Sequence, residues 1–211
     1  RPYIDDYISD TYGTIVGVVN PNSDYKVVIE AHADEISWFV NYITDDGYIY
    51  VIRNGGSDHQ IAPSKRVNIH TDNGIVKGVF GWPAIHVRNA KTEKSPSLEN
   101  IFIDVGCESK DEVGKLGIHV GCVITFEDEL INLNKNYLTG RALDNRMGGF
   151  MIAEVARLLK ENKDHASSKS KKLDGEKNSK KTGKILLATS SPPAWSTADL
   201  STNVFLKYDH Y

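Results

Sequence analysis

Tyr137-Leu138-Thr139-Gly140-Arg141-Ala142-Leu143-Asp144-Asn145-Arg146-Met147-Gly148-Gly149 is the stretch at which this chain changes its period. Beyond it, Met147, Phe150, Met151, Ala153, Val155, Ala156, Leu158 and Leu159 fall at helical spacings, which predicts a helix over 145–161. Apolar residues on much of its circumference imply burial against a sheet. Asp144 then falls near the N-cap, where a carboxylate accepts from free amides. Before it, the chain alternates at the period of strands. The stretch is therefore a junction between a β-rich segment and an α/β one.

Working upstream, residues 37–43, 48–52, 66–70, 75–80, 101–105 and 122–126 read as short strands. Asp45-Asp46-Gly47 and Asp72-Asn73-Gly74 separate them, the second being a strong hairpin signal between two strand-like runs. A short helix fits 109–116, stopped by Gly117. Strands this short and closely spaced predict a small barrel or sandwich over 36–136, inserted into something else. At the amino end, 11–20 and 25–31 are β-rich runs joined by Pro21-Asn22-Ser23-Asp24, and read as adjacent strands of a hairpin. The second is nearly all apolar, as in a central strand buried on both faces.

Downstream, 162–183 has almost no apolar content and many Lys and Ser, which predicts a flexible surface insertion, with a basic interaction tail as the alternative that its interspersed acidic residues disfavour. Residues 184–189 (KILLAT) read as a further buried strand. After it Ser190-Ser191-Pro192-Pro193-Ala194-Trp195 breaks the pattern, and the chain to Tyr211 shows no continuing alternation of helix and strand. The start, Arg-Pro-Tyr-Ile-Asp-Asp, lacks an apolar leader core and reads as joining a chain whose true start lies upstream.

Composition narrows the function classes. The chain has 211 residues, 40% hydrophobic and 25% charged, ordinary for a globular protein with a real core. A formal charge of −3 gives no electrostatic reason to expect nucleic acid. Apolar runs are short, so no membrane partner is expected. Cys107 and Cys122 lack a CxxC spacing and read as small buried residues of a reducing compartment, with a disulfide or metal pair as the alternative; the cytoplasm is the expected location. No P-loop, GxSxG or nucleotide-binding glycine fingerprint is present.

Two segments can carry chemistry. His32-Ala33-Asp34 directly follows the second strand, with Glu35 beside it, at the carboxyl end where open α/β sheets place their sites. On an extended chain the side chains of His32 and Asp34 point to the same side. That suits a metal-binding imidazole whose other nitrogen is oriented by a carboxylate, though a solvated loop explains the pair equally simply. Asp144 is either a plain cap or a carboxylate bridging two divalent ions; Arg141 and Arg146 flank it and allow an ion-pair cluster instead. His59, His70, His86, His119, His165 and His210 show no ligand spacing with one another and read as satisfied or exposed. Paired carboxylates for carbohydrate hydrolysis have only Asp34, Glu35 and Asp144 as candidates.

Taken together, AHADEIS (31–37), SKRVNIHTDNGIVKGVFGWPAIH (64–86), ENIFIDVGCESKDEVGKLGIHVGCVITF (99–126) and GRALDNRMGG (140–149) resemble the tetrahedral (TET) metallo-aminopeptidases. That family also carries the name glutamyl aminopeptidase and, in older usage, endoglucanase. The resemblance covers most of 11–189 in the family's order and spacing. It implies an α/β fold in which a mixed-sheet metallopeptidase domain (1–35 and 137–211) is interrupted by a β-rich, barrel-like dimerisation domain (36–136). It implies that His32 is a metal ligand, that Asp34 is the catalytic-site carboxylate orienting it, and that Asp144 bridges two divalent ions, zinc or cobalt. Peptide substrates, hydrolysed from the amino end by metal-activated water, and homo-oligomeric assembly follow from the same source. The family places consecutive glutamates after the strand matching 184–189, a general base and a ligand, and later an Asp and a His ligand. Here SSPPAWSTADLS follows instead, and no Glu occurs after Glu176. The expectation is a chain truncated or altered after residue 189 that carries only part of the site. The alternative is a non-catalytic remnant or assembly module that keeps the dimerisation domain.

Overall fold

The computed structural model describes residues 2–89, 91, 93–170 and 184–190, with 163–170 and 184–190 as backbone alone. In chain order the strands are β1 (Asp6–Ser9), β2 (Ile15–Val19), β3 (Lys26–His32), β4 (Ser37–Ile43), β5 (Ile49–Asn54), β6 (Arg66–Thr71), β7 (Gly74–Gly81), β8 (Phe102–Asp104), β9 (Val123–Phe126), β10 (Ile131–Asn134), β11 (Tyr137–Thr139) and β12 (Lys184–Ser190). Helix α1 spans Lys110–Lys115 and α2 spans Leu143–Ser170, with one 3₁₀ turn at Ile85–Val87. The chain divides into two compact units. One is built from Arg1–Glu35 and the chain after Arg141, the other from Ile36–Arg141.

The second unit is a closed barrel of order β4-β5-β8-β7-β6-β9, with the β10–β11 hairpin as a separate two-stranded sheet. Closure leaves no free edge in the ring. Its core holds Ile49, Ile69, Ile101, Ile103, Ile124, Val40, Val67 and Val113. Trp38, Phe80 and Phe126 meet edge to face, Trp38–Phe80 at 5.4 Å and Trp38–Phe126 at 6.4 Å between ring centres. Strand periodicity and turn chemistry were reliable guides here. Asp72-Asn73-Gly74 joins β6 to β7, and six of the expected runs are six barrel strands. Ser109 Oγ accepts from the Glu112 amide at 3.3 Å to start α1, and Gly117, at φ +84°, follows its end.

The first unit carries a four-stranded sheet of order β1-β2-β12-β3. This corrects the expected hairpin. Strands β2 and β3 run antiparallel but do not touch, because β12 lies between them, antiparallel to β2 and parallel to β3. Skipping one strand needs about 9.6 Å, and the connection at 20–25 spans that with ease. The turn residues set the direction of return but not the partner. β3 is also not buried on both faces. Helix α2 packs on one side, where Ala31 is buried and Ile29 joins Ile152 and Ala156, while Lys26, Val28 and Glu30 are exposed on the other.

Helix α2 departs from expectation in two ways. It runs nine residues beyond Glu161, so the expected flexible insertion is helical over 162–170, while 171–183 lies outside the described residues. Ahead of the extension, Arg157 pairs with Glu154 and with Glu161 (2.6 Å) along the helix. Its burial is also a narrow stripe around Ile152 and Ala156 rather than most of the circumference, and Met147, Phe150, Met151 and Leu158 are exposed. Among the described residues no helix is long and apolar enough to cross a membrane.

Candidate metal centre

Strand β3 ends on His32, and the parallel register sets Ser190 of β12 beside it. The next residues leave the sheet at its carboxyl edge and turn toward the start of α2. His32 Nδ1 lies 2.8 Å from Asp34 Oδ1, the two side chains meeting on one side as the two-residue spacing predicts. His32 Nε2 lies 3.2 Å from Asp144 Oδ1, across a sequence separation of 112 residues. All three expected site residues are thus brought together.

The start of α2 explains how Asp144 is free to face the imidazole. Asp144 has extended backbone (φ −89°, ψ 106°), and Asn145 is also non-helical (φ −126°, ψ 38°); the peptide bond between them is cis. Asn145 Oδ1, not Asp144, accepts from the Gly148 amide at 2.9 Å. That is the bond an N-cap side chain makes to the third helical residue. So the expected cap is corrected: Asn145 caps the regular helix that follows a kink at Asp144 and Asn145 within α2, and Asp144 stands one residue before the cap, its side chain 95% exposed. Gly148 is required by the same contact. A Cβ there would fall 2.1 Å from Asn145 Oδ1 and 2.9 Å from the Ala31 Cβ, so the cap and the close approach of helix to strand both depend on its absence.

Proton bookkeeping defines what the triad can do. An imidazole flanked by two carboxylates either is doubly protonated and donates to both, or is neutral and donates from one ring nitrogen, Nδ1 to Asp34 or Nε2 to Asp144. In the tautomer that donates from Nδ1 to the nearer Asp34, the Nε2 lone pair faces the Asp144 oxygen, acceptor against acceptor, and a cation between them would satisfy both. Two ligands at about 2.0–2.1 Å from one tetrahedral zinc are about 3.3 Å apart, close to the 3.2 Å found. The donor chemistry of that tautomer fits a divalent ion between His32 and Asp144. Among the described residues no group of three or more His, Cys, Asp or Glu side chains is arranged to hold a metal. Asp199, Asp209 and His210 lie outside the described residues.

Two neighbours that the sequence offers as a flanking cation and a further carboxylate also belong to this edge. Arg146 Nε donates to the Ala33 carbonyl at 3.3 Å, and its Nη2 lies 3.5 Å from Glu35 Oε1. The remaining described histidine side chains belong to the other unit. His70 meets Thr125 Oγ1 at 3.0 Å, His119 meets the Val120 carbonyl at 2.9 Å, His59 accepts from the Arg53 guanidinium, and His86 is exposed on the 3₁₀ turn. Neither cysteine is in a disulfide. Burial pushes the Cys107 thiol up, with Glu112 and Asp104 adding to the shift.

The model of the M42 glutamyl aminopeptidase family matches residues 13–169. The chain belongs to that family. Among curated relatives of this M42 chain, FrvX of Escherichia coli K12, which bears an aminopeptidase name, is 33% identical over 161 residues, 75% of this chain and 45% of its own. Among solved structures, an aminopeptidase from the archaeon Desulfurococcus kamchatkensis is 31% identical with a TM-score of 0.71, covering 90% of this chain and 47% of its own. Pyrococcus horikoshii TET1 peptidase, described as assembling into a tetrahedron or a large octahedral shell, is 26% identical with a TM-score of 0.67, covering 87% and 50%. The M42 chain thus spans half or less of the length of these three relatives.

Proposed function

We propose that this M42 chain forms part of a metal-dependent aminopeptidase that removes residues from the amino end of peptides. The observation that carries the reading is the placement of His32 Nε2 3.2 Å from Asp144 Oδ1 while Nδ1 is held by Asp34 at 2.8 Å. His32 and Asp144 would hold the ions, Asp144 as the carboxylate shared between them. Asp34 keeps the Nδ1 proton, so that Nε2 presents its lone pair. Two divalent ions, zinc or cobalt, supply Lewis acidity when bound, polarising the scissile carbonyl and acidifying a water. The barrel unit, 36–136 in the sequence reading, is the inserted dimerisation domain of a cytoplasmic homo-oligomer. Membership of the family, and the assembly described for the Pyrococcus horikoshii relative, support that part.

A second reading, an assembly module without catalysis, is favoured by one observation. Ser190 occupies the strand end beside His32, and Ser191-Pro192-Pro193 follow, with no Glu after Glu176 within these 211 residues. The family resemblance calls for a glutamate pair at that edge. Metal content and turnover of amino-acid anilides, measured with added zinc or cobalt, separate the two. The first reading requires metal-dependent turnover that His32→Ala and Asp144→Ala abolish. Metal-free dimers without turnover establish the second.

A further inference from the structure

We propose that Arg146 is a positioning residue of this centre, a clasp that fixes the loop carrying His32 and Asp34 against the turn carrying Asp144. The inference rests on the metal-site reading above and deepens it. Three cross-links join loop 32–35 to turn 142–146: His32 to Asp144, the Ala33 carbonyl to Arg146 Nε, and Glu35 to Arg146 Nη2. Only the first is between the proposed ligands. The other two come from one side chain, and they bracket Asp34 in sequence, one contact on each side of it.

Arg146 is itself 58% exposed and its contacts are 3.3 and 3.5 Å long, so what sets this pair apart is its placement and not its strength. Arg146 is in the first turn of α2, two residues after Asp144, with its own amide donating to the Ala142 carbonyl at 3.3 Å. Its backbone position is therefore tied to the strand-to-helix turn that sets Asp144. Its guanidinium reaches back to a main-chain oxygen between His32 and Asp34, so a displacement of either segment is felt by the other. A planar fork can serve a carbonyl and a carboxylate at once from a fixed direction, which an ammonium on a flexible stem does not reproduce. The clasp also engages Glu35, whose side chain is only 17% exposed. A carboxylate held to a guanidinium is withdrawn from competition for the cation, so the donors left facing it are His32 and Asp144. Asp144 itself is 95% exposed and has no packing to hold it, so its separation from His32 is set by the backbone the clasp restrains.

The test uses the full chain and cobalt(II) alone as probe. Cobalt affinity is read by calorimetry and by the visible absorption of the bound ion. The His32 ring nitrogens are read by long-range proton–nitrogen NMR of the metal-free chain, their signals assigned with His32→Ala. Arg146→Gln is expected to weaken cobalt binding about tenfold, the low end of the range for loss of an outer partner of a metal ligand, because Arg146 holds the loop carrying His32 and not a ligand itself. It should also shift and broaden the His32 signals in the metal-free protein. Arg146→Lys keeps the charge but loses the fork, and should recover only part of each effect. Glu35→Gln should reproduce the NMR change in weaker form. Cobalt affinity within about threefold of the parent, with unmoved His32 signals, overturns the clasp while leaving the metal reading intact. Absence of cobalt binding in the parent chain overturns the metal reading and the inference together.

Discussion

Replacing Gly148 by alanine sets two physical effects against each other, and the structure says which wins. Position 148 lies in α2, and on helix propensity alone Gly→Ala stabilises by about 1 kcal/mol. The built Cβ, however, falls 2.1 Å from Asn145 Oδ1 and 2.9 Å from the Ala31 Cβ. The first contact displaces the side chain that caps the helix, which costs about 1 kcal/mol. The second forces α2 off β3, an overpacking that costs about 1–3 kcal/mol. The sum is a net loss of about 1–3 kcal/mol, or a melting-temperature drop of about 2–12 °C at about 2–4 °C per kcal/mol for a chain of this size. Gly114→Ala is the matched control. It too is helical, in α1, but a Cβ there meets nothing within 4 Å, so it should be neutral or stabilising. Thermal unfolding followed by circular dichroism and urea titration measures both. A Gly148→Ala chain as stable as the parent, or more so, refutes the account of how the helix start is held. The same substitution should also lower cobalt affinity, because the turn it distorts places Asp144.

Asp34→Asn should weaken zinc or cobalt binding about 10–100-fold while leaving the melting temperature unchanged, as judged by calorimetric titration; undiminished affinity removes Asp34 from its orienting role. In the barrel, Ile69→Ala should cost about 2–5 kcal/mol by urea midpoint, whereas Ile75→Ala, at a 57% exposed site, should stay within about 0.5 kcal/mol. Equal costs at the two positions would falsify the assignment of the barrel interior. At the barrel surface the Lys77 ammonium, 2.5 Å from Glu127, holds that carboxyl below the usual glutamate range, with Arg66 also contributing. A lowered folded value means stability present above the unfolded pKa of about 4.3 and lost as pH falls through the folded value. Lys77→Met should therefore flatten the decline of the urea midpoint below pH about 4.3, and an unchanged acid limb refutes the pairing.

What the sequence made readable follows from how local the signals are. Alternation such as Arg66-Val67-Asn68-Ile69 and turns such as Asp72-Asn73-Gly74 are encoded within a few residues, and they returned strands close to those observed. The β10–β11 hairpin was missed although Ile131-Asn132-Leu133-Asn134 alternates, because its apolar residues stay exposed and its register slips between Asn132 and Asn134. The place of β12 between β2 and β3 is a pairing between distant segments, and nothing in Pro21-Asn22-Ser23-Asp24 encodes it. At the site, the His32–Asp34 contact was legible from spacing alone. The approach of Asp144 rested on family resemblance. Asn145 as the cap had a readable signal, since Asn ranks among the strongest N-cap residues, but the neighbouring carboxylate drew the assignment one position too early. Arg146 reads from the sequence as a flanking charge able to join an ion-pair cluster, and its ion pair is with Glu35; its contact with the Ala33 carbonyl leaves no mark in a motif.

The strand that splits the β2–β3 pair also sets a timetable for synthesis. Lys26 pairs with Lys184, so β3 waits for a segment made 158 residues later. At about 5–20 residues per second that is about 8–30 s, far longer than a small barrel needs to close. During this interval the barrel strands β4 to β9 all emerge, while β2 and β3 remain with unsatisfied backbone edges. The nascent chain therefore passes through a long-lived state with a finished barrel and two sticky strands. A cell making this protein must keep those edges from pairing with other chains until Lys184–Ser190 arrives to close the sheet.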